Sequence, residues 1–406
     1  MEVIQNKGIR QNLMTFITLV CINVFVGSMV GLERTVLPVL AKEEFGIASV
    51  TASLAFIISF GLTKALMNLI AGQLADRFGR KSLLIIGWIV ASFVPCLIII
   101  ADVWWIIILA NVLLGLSQGL TWSMTVNMKI DLAKDNQKGI AVGMNEFAGY
   151  MGLSLTALFS GYMMARYSTR PEPFLIGFLI AGIGLILSIL IKDMQSIPAT
   201  KSAGKPSFKH VFLKTSFLNR NLSTSSIIGL MTNFKDGVAW GLFPLFFATT
   251  PLTGSQMSLV IAIYPASWGI FQLVTGPLSD KWGRKWLIIS GVILQIAGLL
   301  GILYGNHFSL WLIASLLLGI GTALVYPTLI ASISDVASPT WRATSLGVYR
   351  FWRDSGYAVG ALTGGIIADY FGIGNALLFT AFLLIGTLFI ALVRLSETNV
   401  YKNDAL

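Results

Sequence analysis

Twelve times along this chain an apolar run returns that is about 20 residues long or more, enough to cross the hydrocarbon core of a bilayer as a helix. The runs lie near 13–40, 48–74, 82–101, 103–128, 139–166 and 173–192, then 223–248, 255–279, 286–304, 308–333, 342–369 and 374–395. Inside lipid each backbone group must be satisfied within the protein, which favours helices. An aqueous core could not hide so much apolar chain: 55% of residues are apolar and 11% charged, against roughly a quarter charged in soluble domains. The expectation is an all-α membrane protein with twelve transmembrane helices. The first run is too long to be a removed signal, and no small-residue cleavage site follows it.

The 28 Lys and Arg residues fix an expected orientation. About 20 fall on alternate connections: the N-terminus, 77–81, 129–138, 281–285, 342, the 192–220 segment and the C-terminus. The opposite connections hold Lys42, Arg166 and Arg170, and five cations lie within spans. Basic residues stay on the cytoplasmic side, so both termini are expected there, in a plasma or inner membrane. The net charge of +10 therefore encodes topology and not nucleic-acid binding. Cys21 and Cys96 lie in apolar runs and cannot build a disulfide framework. His210 and His307 are too separated for a metal site, and no phosphate-cradling Gly-Lys-Ser/Thr loop or catalytic motif is present. Neither cofactor nor enzyme activity is expected, and an ion or solute gradient must supply the energy.

Residues 72–81 read GQLADRFGRK and residues 276–285 read GPLSDKWGRK. The same offset of 204 relates Gly115 to Gly319, Asp131 to Asp335, Gly143 to Gly347 and Phe147 to Phe351. Pro38 and Pro244 correspond at 206, which places a two-residue indel early in one copy. Six spans were duplicated. The halves 1–192 and 223–406 flank the one long polar segment, 193–222, where Lys201, Lys205, Lys209, Lys214 and Arg220 cluster. Residues 207–218 alternate apolar and basic faces, as an interfacial helix would.

The ten-residue segment from Gly72 to Lys81, placed between the second and third spans and repeated between the eighth and ninth, resembles the hallmark loop of the major facilitator superfamily. The resemblance covers nearly the whole chain and implies two pseudo-symmetric six-helix bundles rocking about a midplane site. It also implies two clusters, Asp76–Arg80–Asp131 and Asp280–Arg284–Asp335, that with Gly72 latch the cytoplasmic side in the outward-facing state. Ordinary turn chemistry and topogenic charge are the plainer account of the same residues. The fourth span departs from proton-driven members: Gln118-Gly119 is present, but Gly115 stands where they carry arginine. The Gly-Pro pair usual in the fifth span of drug exporters is replaced by Gly149-Tyr150.

Ionisable side chains within spans are costly, so they face a cavity or one another. Here they are Glu33, Arg34, Lys64, Glu146, Lys235, Asp236, Arg350, Arg353 and Asp354. Arg350, Arg353, Asp354 and Tyr357 follow helical spacing, so one face of the eleventh span is polar, and Arg350 is placed to neutralise Asp354 one turn on. Glu146 corresponds to Arg350 under the repeat, which sets opposite charges on opposing walls. Asn111, Gly115, Gln118, Trp122 and Lys129 form a polar stripe on the fourth span. Trp122, Trp240 and Tyr326 are the aromatic cavity candidates.

Arginine is a permanent, forked donor suited to carboxylate or phosphate, so Arg350 and Arg353, with Lys235 or Arg34, are candidates to hold an anion. A carboxylate in a water-poor site can trade its charge for a proton, so Glu33, Glu146 and Asp236 are candidate proton carriers. Fixed ion pairs joining helices are the alternative for any one of them. The expected function is secondary active transport of a small anionic solute, coupled to protons. Its partners would be that solute, protons and the lipid bilayer, with a monomer as the working unit. Efflux of amphiphilic drugs against protons is the nearest rival, followed by a lipid flippase or a transport-derived sensor.

Overall fold

The structure, a computed structural model, describes residues 8–134, 137–191, 206–338 and 340–399. Lys201, Lys205 and the side chain of Asp76 lie outside the described residues. Among the described residues, twelve long helices follow the twelve apolar runs, with ends displaced by a few residues. They are Leu13–Arg34, Ala55–Phe78, Arg80–Ile100, Trp104–Leu132, Lys138–Arg166, Glu172–Leu190, Arg220–Phe247, Gly254–Trp282, Arg284–Tyr304, Phe308–Val336, Arg342–Phe371 and Ile373–Arg394, the first to twelfth spans.

The first run breaks earlier than its hydropathy suggests. The first span stops at Arg34, and a separate helix, Leu37–Glu43, starts with Pro38 in its first turn. Proline suits that position because its missing N–H would have no helical partner there. A single turn, Val50–Ser53, likewise precedes the second span. The duplicated loops turn on glycine: Gly79 at φ 80° and Gly283 at φ 89° end one helix and open the next. Only a residue without Cβ takes that conformation at little cost. Polar residues cap other helix starts, with a Thr253–Gln256 capping box on the eighth span and the His307 side chain accepting from the Leu310 N–H on the tenth. A helix cap thus accounts for His307.

Among the described residues, nine helices are long and apolar enough to cross a membrane by length and composition; the more polar fifth, seventh and eleventh are not among them. Burial explains how those three are accommodated. The seventh packs closely on the eleventh, and the fifth lies between the first and the eighth. Large apolar side chains instead face outward on the peripheral helices, among them Leu190 and Phe389.

The first six spans pack among themselves and so do the last six, giving two bundles that meet along two seams, second against eleventh and fifth against eighth. The seams are tight at the end away from the termini. A Cβ on Gly365 would lie 2.7 Å from the Thr51 Cα, and one on Gly161 would meet Ser258. Asp369 of the eleventh span clasps the opposite bundle there. It accepts from Ser49 Oγ at 2.8 Å, Thr51 Oγ1 at 2.6 Å, and the Val50 and Thr51 N–H groups at 2.5 and 3.0 Å. Toward the termini the seams diverge: the Gly143 and Gly347 positions stand 3.7 and 3.9 Å from their neighbours across the seam, and nothing lies within 4 Å of the Gly72 or Gly276 positions.

Before the seventh span, Phe208–Leu213 continues into a wider turn at Lys214–Leu218. Thr215 bonds Ser345, and Ser216 accepts from the Trp352 indole at 2.8 Å, so this helix is seated on the eleventh span. Its other side exposes Phe217 and Leu218.

Candidate functional site

The polar side chains of the spans converge between the bundles. One small cavity of about 10 Å³, room for a single water, is lined by Lys64, Trp122 and Glu146 from the first half and Tyr326, Arg350 and Arg353 from the second. Tyr150, Asn68 and Ser123 complete its wall. Glu146 and Arg350, the pair related by the repeat, thus face the same space.

Each charge has a distinct environment. Glu146 accepts from the Trp122 indole at 2.8 Å and from Asn145 at 3.0 Å, while its second oxygen is buried without a partner among the described residues. Asn145 in turn accepts from Lys129 Nζ at 2.6 Å. Lys129, counted with a connecting loop in the sequence, is fully buried in the fourth span. The helix runs one turn further than its apolar stretch, which carries the ammonium inside.

Asp354 pairs with neighbouring Arg353 at 2.6 Å, and not with Arg350 one turn away. It also accepts from Asn68 of the opposite bundle and from Asn233 at 3.2 Å. Arg353 donates to the Tyr326 hydroxyl. Arg350 is left with no hydrogen bond or ion pair among the described residues and lines the cavity. Lys64 is in the same position: its ammonium lies over the Trp122 ring at 5.2 Å and the Phe60 ring at 5.4 Å, with no carboxylate bonded to it. Such cation–ring contacts replace only part of the lost hydration.

Lys235 and Asp236 form a sealed cluster within the second bundle. Lys235 Nζ lies 2.6 Å from Asp236 and 2.7 Å from both Tyr264 Oη and Thr322 Oγ1, and Tyr264 donates to Asp236. Both side chains are inaccessible. Glu33 and Arg34 sit at the end of the first span, and neither carboxylate oxygen nor any guanidinium nitrogen has a hydrogen-bond partner among the described residues. Arg34 lines a second small void, with Trp240 and Tyr264. Asn111 donates to the Ile107 carbonyl of its own helix, and Gln118 to the Val26 carbonyl of the first span at 2.7 Å. Both lie outside the polar cavity; of that stripe, Trp122 reaches it.

Gly115 is explained by packing. A Cβ there would lie 2.7 Å from the Phe60 carbonyl and 3.2 Å from the Lys64 amide. The second span therefore packs closely on the fourth at Gly115, and brings Lys64 with it.

In the duplicated loops Arg80 pairs with Asp131, and Arg284 with Asp280 at 2.7 Å and Asp335 at 3.1 Å. These pairs lie within one bundle. The segment after the twelfth span joins the second cluster: Glu397 accepts from the Arg284 N–H at 2.8 Å and the Lys285 N–H at 3.2 Å, and Asn399 donates to the Asp280 carbonyl.

Asn68, Asn145, Tyr150, Tyr264 and Trp268 escaped the sequence reading. Asn68 was visible as a polar residue one turn beyond Lys64, and Asn145 as the neighbour of Glu146. Tyr150 was visible one turn beyond Glu146, but nothing marked Tyr264 or Trp268: Tyr150 stacks on Trp268 at 3.7 Å across a seam that only the fold creates.

The family model for the Major Facilitator Superfamily matches residues 19–250 and 225–405. The chain belongs to the major facilitator superfamily. As a transporter of this superfamily it is similar to the proton-coupled antiporter flippase LtaA of Staphylococcus haemolyticus, at 22% identity over 395 residues, 93% of each chain. It is also similar to the quinolone resistance protein NorA of Staphylococcus aureus, at 28% identity over 133 residues, 33% of this chain and 34% of that one. The solved structure of the nucleoside transporter NupG superposes with a TM-score of 0.76 at 13% identity, over 94% of this chain and all of the other, and shares its fold.

Proposed function

We propose that this superfamily member is a proton-linked carrier of a small organic anion, with both termini cytoplasmic in a plasma or inner membrane and one chain as the working unit. Residues 1–192 and 223–406 rock against each other, and 193–222 joins them on the cytoplasmic face. The single observation that carries the reading is the surplus of buried cations. Buried Arg34, Lys64, Lys129, Lys235 and Arg353, with half-buried Arg350, meet Glu33, Glu146, Asp236 and Asp354, and two of those carboxylates are already paired with Lys235 and Arg353. Lys64 and Arg350 face the cavity with Glu146 but form no ion pair among the described residues, two unpaired cations to one unpaired acid, and an anionic substrate would supply the balance.

Glu146 and Glu33 are the proton carriers of this scheme, because each keeps buried oxygens without a donor. Protonation changes what each costs to bury in either state, and such differential affinity is what coupling requires. With the termini inside, the Asp369 clasp closes the external end, and the duplicated-loop clusters hold their own bundles and latch the cytoplasmic side when it shuts. The proton-coupled antiporter named among its relatives supports the coupling.

Liposome flux under an imposed pH gradient, with panels of organic anions and cationic drugs, tests this. Arg350→Ala should abolish anion flux, and Glu146→Gln should leave flux that no longer follows the pH gradient. Wild-type behaviour in both would remove those roles. Drug efflux is the second reading, favoured by the Trp122–Tyr150–Trp268–Tyr326 ring cluster and the similarity to a quinolone resistance protein. Flux of cationic drugs, with none of anions, would establish it.

A further inference from the structure

Arg34 is 2% exposed, and its three nitrogens find no acceptor among the described residues. A desolvated guanidinium is among the costliest groups to leave so. Glu33 is adjacent in sequence, yet its oxygens are unbonded too. What surrounds Arg34 is aromatic, with its Cζ 4.6 Å from the Phe60 centroid and 4.5 Å from that of Trp240. Rings offer their faces to the charge but accept nothing from the fork of N–H donors.

The guanidinium lines a void whose other walls include Leu153, Ala157, Phe243 and Ile261. Those walls are apolar. The void is about 10 Å³, one water in size. An aromatic partition separates it from the polar cavity. Trp240 and Tyr357 stack at 4.5 Å, and Phe60 lies 6.3 Å from Tyr357. Lys64 approaches Phe60 and Tyr357 from the polar cavity at 5.4 and 5.7 Å, while Arg34 approaches Phe60 and Trp240 from the apolar one.

We propose that Arg34 is a second anion subsite, in series with Lys64 and Arg350, whose walls select a carboxylate carrying a hydrocarbon body over a compact hydrophilic anion. The assignment rests on the anion reading above and narrows its substrate class. The carboxylate takes the guanidinium fork, the body lies against Phe243 and Ile261, and the partition separates the two subsites until the bundles part.

The purified protein would be titrated with straight-chain carboxylates from acetate to octanoate, with sulfate, and with alkylammonium ions of matching length. Thermal unfolding and tryptophan quenching report binding, and liposome flux reports transport. Affinity should rise about fourfold per methylene over the first carbons. Arg34→Gln should lower octanoate affinity at least ~tenfold, Arg34→Lys should restore part of it, and Phe243→Ala should move the optimum to longer chains. If Arg34→Gln does not fold, the Phe243→Ala shift decides alone.

Acetate and sulfate binding as tightly as octanoate, with Arg34→Gln indifferent, would overturn the subsite and leave the anion reading standing. Absence of binding by every anion would overturn both. Alkylammonium ions matching the carboxylates chain for chain would also overturn the subsite, in favour of the drug reading.

Discussion

Lys235 and Asp236 are consecutive residues in one fully buried cluster, so neither can be changed without altering the charge left to the other. Removing one partner of a buried pair typically costs about 3–5 kcal/mol, whereas replacing both with apolar residues can be neutral. Lys235→Met alone should therefore lower the thermal unfolding temperature in detergent more than Lys235→Met/Asp236→Leu does. The opposite order would mean that the pair does not stabilise as a unit. Gly115 makes a different claim about a single position. A methyl group at Gly115 would press on the Phe60 carbonyl and Thr63, and Gly115→Ala should cost about 1–3 kcal/mol, as overpacking does elsewhere. The same measurement checks it. Restoring the arginine usual in proton-driven members would be worse still.

At the level of elements, the segment after the twelfth span carries a titratable clasp. Burial pushes the Glu397 carboxyl up, but the N–H groups of Arg284, Asn399, Lys285 and Thr398 outweigh it and hold the carboxyl below its ordinary value. A carboxylate so depressed contributes stability above its unfolded pKa of about 4.3, and that stability is lost as pH falls through the folded value. Protection of the 397–399 amides against hydrogen exchange, taken relative to the intrinsic rate at each pH, should fall on acidification below about pH 4, and Glu397→Gln should flatten that response. No sequence signal announced this clasp, because the contact joins residues more than a hundred positions apart. The twelve helices, by contrast, were legible from apolar run length, and the motif turns from Gly79 and Gly283. Most of the charged site was legible for the same reason: a charge inside an apolar run must find a cavity or a partner. Partner choice was not. Asp354 took Arg353 over Arg350 because Asn68 and Asn233 hold its carboxylate from other helices, and Lys129 was misplaced because a helix can extend past its apolar stretch.

Over the whole molecule, the two seams are closed at one end and parted at the other. Asp369 is the acceptor of four hydrogen bonds across the closed end, so Asp369→Ala should favour the alternate state. In a background free of Cys21 and Cys96, a Ser258→Cys probe at the fifth–eighth seam reports this through labelling by a membrane-impermeant maleimide. Ser258 is buried, and losing about 1.4 kcal/mol of closure corresponds to roughly tenfold faster labelling. An unchanged rate would show that the clasp does not govern closure.

The three spans too polar to cross unaided also bear on how the chain is made. A charge at mid-helix costs about 2.5–3.5 kcal/mol on the insertion scale, so each needs shelter from a neighbour. The fifth emerges after the first and before the eighth, and the eleventh after the second and seventh, so each finds a main neighbour already made. The seventh precedes both of its main companions, the eleventh and twelfth. During synthesis it should wait at the translocon until they arrive.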